Sequence, residues 1–66
     1  MDDSTKKMLA EAYDETVAEA LAAGRARAEA HKEGITAAAM FLSSLSGIED
    51  AAARAQVATL GLSVAD

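Results

Sequence analysis

The side chains of this chain that could do chemistry are few, and most are carboxylates. Glu11, Glu15 and Glu19 recur every fourth residue, which on a helix sets them in one row, with Asp14 three residues from Glu11 and beside it. Such an acidic face suits a hard cation or a basic partner, although like charges at this spacing cost a few tenths of a kcal/mol per pair. Carboxylates on one exposed helix do not converge on a cation, and the sequence holds no EF-hand loop. The plain reading is a solvated face that keeps an alanine-rich protein in solution.

His31 has Arg27 four residues before it and Lys32 beside it, without the Glu-x-x-His pattern that builds carboxylate-bridged metal sites in bundles. We expect a structural role for it near a helix C-terminus, where the helix dipole favours a protonated imidazole. Ser43, Ser44 and Ser46 lack the G-x-S-x-G setting or neighbouring base that activates a serine, and they read as caps and small polar residues at a helix break. No catalytic residue, cofactor site or metal ligand is assigned, and the chain is expected to be non-enzymatic.

Charge narrows the partners further. The 66 residues carry eleven acids against six Lys and Arg, for a net charge of −5. Residues 1–19 hold most of that excess, and residues 20–36 are slightly basic. Phosphate backbones and anionic membranes both ask for a basic stripe, so neither direct nucleic-acid binding nor membrane binding is expected. The opening MDDSTKK has neither the basic region nor the apolar run of a secretory signal. The longest nearly apolar stretch, residues 35–45, is about half of the roughly 20 residues that a spanning helix needs. These features point to a cytoplasmic protein.

The elements that position these residues should be helices, because proline is absent and alanine dominates in company with Leu, Glu, Arg and Lys. The pattern predicts a long helix over about 4–33, capped by Asp3 or Ser4 and stopped by Gly34 as a left-handed C′ residue. A second helix over about 36–45 follows, capped by Thr36. A third over about 47–60 is opened by a capping box at Ser46 to Glu49 and stopped by Gly61, before a frayed tail over 61–66. A hairpin whose second arm is kinked at Ser46 and Gly47 is the alternative.

Leu9, Tyr13, Val17, Ala20, Gly24, Ala28 and His31 are spaced by 4, 4, 3, 4, 4 and 3, an 11-residue repeat that gives a nearly straight seam. Within it Ala20, Gly24 and Ala28 form a small-x3-small row, a device that lets another backbone come close. Glycine costs about 1 kcal/mol relative to alanine inside a helix. Close packing offsets that cost if Gly24 marks a helix crossing, whereas the competing reading is that Gly24 breaks the first helix. Leu9, Tyr13, Val17, Ala20, Gly24 and Ala28 are therefore assigned to a helix crossing or oligomer interface. A helix of roughly 40 Å has more apolar stripe than one short neighbour can cover. A chain this small buries only about 60% of its unfolded surface, and without cysteine a second copy is the default support. The expected fold is an all-α, single-domain helical bundle completed by homodimerisation.

Met40, Phe41, Leu42 and Leu45 concentrate the large apolar side chains and cannot all face one way on a helix. They are assigned to core or, where exposed, to partner binding. The function expected is that of a small interaction or regulatory protein acting through protein–protein contact, with itself and possibly another protein. An acidic inhibitor of phage type, presenting Glu11, Asp14, Glu15 and Glu19 in place of phosphates, is the alternative. A small-molecule binder at a dimer interface ranks below both.

Overall fold

Helices α1 (Asp3–Ala22), α2 (Arg27–Ser46) and α3 (Asp50–Ala58) make up most of the chain. The structure, a computed structural model, describes residues 1–64, and among the described residues there is no strand. α1 and α2 form an antiparallel hairpin, and α3 packs on α2. The all-helical class and the number of helices agree with the expectation from sequence; the bounds of the first two helices do not.

The expected helix over 4–33 is two helices, broken at Gly24. That residue has φ +89°. Its N–H donates to the Leu21 carbonyl and the Arg25 N–H donates to the Ala20 carbonyl, both at 3.0 Å. These are the paired bonds of a Schellman motif with glycine at C′. Nothing lies within 4 Å of where a Gly24 Cβ would sit, so Gly24 marks a turn and not a crossing. Ala28 is exposed at the start of α2 and does not continue the stripe of α1. The row Ala20, Gly24, Ala28 is therefore not a helix face.

The close crossing lies one glycine further on. Gly34, expected to end a helix, is buried in the middle of α2. Ala30, Gly34 and Ala38 are spaced by four and buried, a small-x3-small row like the one sought around Gly24. It faces the large side chains of α1: a Cβ added at Gly34 would lie 2.6 Å from Tyr13 Cδ2 and 2.8 Å from Val17 Cγ2. Leu9, Tyr13, Val17 and Ala20 are buried in this contact within one chain.

The ends of the helices also differ from expectation. α1 is capped by Asp2, whose Oδ1 accepts the Thr5 N–H at 2.8 Å. That bond holds the Asp2 carboxyl below its usual range, so the cap's contribution is present at neutral pH and lost as pH falls through the lowered value. Thr36 lies inside α2 and caps nothing. α2 runs to Ser46 and closes on Gly47, φ +70°, whose N–H donates to the Ser43 carbonyl at 2.8 Å. The capping box at Ser46 to Glu49 does not form, because Ser46 still belongs to α2 and Glu49, the N-cap of α3, makes no side-chain cap bond. The Ser43 hydroxyl instead donates to the Ile48 carbonyl at 2.6 Å and pins the corner.

The tail is docked as far as it is described, where fraying was expected. Arg27 Nη2 donates to the Val64 carbonyl at 3.2 Å, and Leu62 and Val64 pack against the core; residues 65 and 66 of the expected tail lie outside the described residues. The accessible surface is 4187 Å². A compact monomer of this mass is expected to expose about 3,900 Å². The chain thus exposes somewhat more than that; α2 along the hairpin and the tail at Ser63 and Val64 cover α1, while α3 packs on α2.

Candidate functional site

Helical periodicity of about 100° per residue divides α1 into a buried stripe and two flanks. One flank, with Asp14, Ala18 and Leu21, meets the tail at Ser63 and Val64. The other carries Met8, Ala12, Thr16 and the glutamates, and no element of the described chain crosses it.

Across the hairpin from this open flank stand Ala37, Met40 and Phe41 of α2. Met8, Ala12 and Phe41 line one depression together with Glu11 and Glu15, and Thr16, Ala37 and Met40 line its neighbour with Lys32 and Glu33. Met40 is 60% exposed, Leu45 53%, Phe41 39% and Met8 37%. The segment assigned to core or partner binding is thus divided. Leu42 is buried against the other helices and is not available to a partner, whereas Met40, Phe41 and Leu45 face solvent.

The acidic residues divide as well. Glu11, Glu15 and Glu19 are exposed along the open flank, while Asp14 turns to the tail side. Glu33 is held by Arg25, with Nε to Oε2 at 2.6 Å. Among the described residues no basic side chain pairs with Glu11, Glu15 or Glu19. Nor is any group of three or more His, Asp or Glu among them placed to hold a metal ion.

His31 lies in the second turn of α2, not at a helix C-terminus, and its Nδ1 is 2.7 Å from the Tyr13 hydroxyl. The rings meet edge to face with centroids 5.6 Å apart. Sequence reasoning missed this pair. The two residues stand eighteen apart, and they face each other only once the chain reverses at Gly24. Tyr13 is 1% exposed. Burial raises the pKa of its phenol, with the Asp14 carboxylate adding to the rise and Arg27 opposing it.

A raised phenol pKa means that above about pH 10 the unfolded chain loses a proton that the folded chain keeps. Stability is therefore intact below that pH and falls as pH rises toward the folded value. As the chain has a single tyrosine, its absorbance titration reports this group alone. The expected curve is displaced upward from that of the unfolded chain, and Tyr13→Phe is expected to flatten the alkaline loss of stability. An unshifted curve would mean that the ring is not enclosed.

Together the fold and the open flank define a small three-helix protein with a mixed apolar and acidic surface. No family model, curated protein or solved structure matches the chain. No helix among the described residues is long and apolar enough to cross a membrane.

Proposed function

We propose that this chain is a non-enzymatic interaction protein that acts by protein–protein contact through the open face of the α1–α2 hairpin. The observation that carries the reading is the exposure of Met40, Phe41 and Leu45 on α2 and of Met8 on α1, which shares a depression with Phe41. The chain has one phenylalanine, three methionines and no tryptophan. Leaving several of its few large apolar side chains outside the core is informative, because such grouped exposure marks contact sites. Pairing of two copies is one form this contact can take. It would run through this face, because the seam residues Leu9, Tyr13, Val17 and Ala20 are already covered within the chain.

Site-specific photo-cross-linking in the source cells tests the reading. A photoreactive phenylalanine analogue at position 40 is expected to give discrete protein adducts that disappear with Phe41→Asp. The same group at exposed Ala55 on α3 is expected to give none. An adduct of twice the chain's mass identifies a second copy; any other mass identifies a different protein. Equal labelling from both positions would remove the basis for the proposal. The acidic-mimic alternative rests on the exposed glutamate row. Two of its members, Glu11 and Glu15, share their depression with Met8 and Phe41, which favours a face used as a mixed whole.

A further inference from the structure

We propose that the open groove receives a basic amphipathic helix of another protein, its apolar stripe on Met8, Met40 and Phe41 and its Lys or Arg side chains against Glu11, Glu15 and Glu19. The inference rests on the reading of this face as a protein contact and specifies the occupant.

Charge distribution selects the occupant's chemistry. Along α1 the three glutamates recur every four residues, so about 6 Å separates neighbours along the axis. A helix lying beside α1 presents Lys or Arg at the same interval when its basic residues are spaced by four. On the α2 side the balance differs: Glu33 is already paired with Arg25, and Lys32 stands at the border. The unmatched negative charge therefore lies along one edge, and the partner helix should be basic along the edge it turns toward α1. From Met8 to Thr16 the two depressions run about 12 Å along α1, a little over two helical turns, and Glu19 lies just beyond them, in a depression it shares with Arg25 and Glu33. Methionines at its floor and rim suit apolar side chains of varied shape, because the unbranched thioether adapts to its neighbour.

A second copy fits this charge pattern poorly. A symmetric pairing sets the glutamate row against its own equivalent or against the α2 side, where the basic residues among the described lining are Lys32 and Arg25, the latter already paired with Glu33. In the first arrangement like charges face each other, in the second one lysine meets three glutamates, and in both the two copies carry −5 each. An apolar stripe alone would accept any amphipathic helix; the acidic edge is what restricts it to a basic one.

The probe is a fluorescent synthetic peptide of about 14 residues with leucine on one helical stripe and lysine elsewhere, compared with its Leu/Glu counterpart. Fluorescence anisotropy with the intact chain is expected to show binding of the Leu/Lys peptide that weakens with salt, and none of the Leu/Glu peptide. Met40→Asp, at the most exposed position, is expected to weaken it about tenfold. Glu11→Lys with Glu15→Lys is expected to do the same or more. The charge-matched control, Asp14→Lys with Glu49→Lys, lies off the groove and should change affinity by about threefold or less.

Equal loss in the control pair would reduce the binding to general attraction and overturn the proposal. So would equal binding of the two peptides, or no binding of either. A chain found dimeric by light scattering, dissociated by Met40→Asp and closed to the peptide, would assign the groove to a second copy. If the peptides fail while position 40 still cross-links to another protein, the contact face stands and the basic helix as its occupant falls.

Discussion

Gly34→Ala is expected to destabilise the protein, against the sign that helix propensity predicts. In an exposed helix interior the change stabilises by about 1 kcal/mol. Here the new Cβ would lie 2.6 Å from Tyr13 Cδ2, 2.7 Å from Cε2 and 2.8 Å from Val17 Cγ2. Neither neighbour yields cheaply: the phenol is tied to His31 Nδ1 at 2.7 Å, and the valine is β-branched and stiff about χ1. Overpacking of this kind costs about 1–3 kcal/mol, so a net loss of about 1 kcal/mol is expected, a fall of roughly 4–8 °C in Tm for a domain of this size.

Larger side chains at the same position should cost steeply more. A chain of this length has a total stability of about 3–10 kcal/mol, and Gly34→Leu is expected to abolish cooperative unfolding followed by circular dichroism. Gly24 provides the contrast. A side chain there enters open space but must adopt φ +89°, so Gly24→Ala and Gly24→Leu should cost about the same 1–2 kcal/mol. Neither should alter the solution mass measured by light scattering. A stabilised Gly34→Ala would show that the helices do not approach as described.

Tyr13→Ala is expected to be the most damaging truncation in the chain. Tyr13 is the largest fully buried side chain and fills the space against Gly34 and Val17 while its hydroxyl meets His31. Removing a buried aromatic ring costs about 3–5 kcal/mol, most of what a domain of this size has. Loss of the thermal transition at neutral pH is the expected result; a stability within about 1 kcal/mol of the parent would mean that the ring is not part of the core.

The milder Tyr13→Leu allows the coupling to be read. In that background the ring atoms closest to the position-34 Cβ are gone, and Gly34→Ala should recover part of its propensity gain. A double-mutant cycle by chemical denaturation should therefore give a non-additive term of about 1 kcal/mol. Strict additivity would place the two residues out of contact.

Several features were legible in the sequence because they depend on local chemistry. Freedom from proline and the weight of alanine imply helices wherever the chain is not stopped. The 3.6-residue period identifies Leu9, Tyr13, Val17 and Ala20 as one stripe, and they are buried together. The crowding of Met40, Phe41, Leu42 and Leu45 into six residues means that they cannot share one face; Leu42 went inside and the others did not.

What the sequence leaves open is which glycine does which task. Gly24 and Gly34 each sit among good helix formers, and a glycine that ends a helix resembles locally one that lets two helices touch. The two tasks are the reverse of those that spacing alone suggested: Gly24 is the stop and Gly34 the crossing. The difference lies in what each residue faces. A turn at Gly24 yields two helices of 20 residues each that cover one another along their length. A turn at Gly34 would have left much of a longer helix bare. Only the folded hairpin brings the Tyr13 ring over position 34, and with it the His31 contact, so those roles follow from mutual burial between distant segments. By itself the sequence determined that the chain is helical and which stripe of α1 is apolar, because period and propensity act within a few residues. The tertiary structure decided where the chain turns, which glycine is crowded and which flank stays open, because each depends on the helix that arrives from elsewhere.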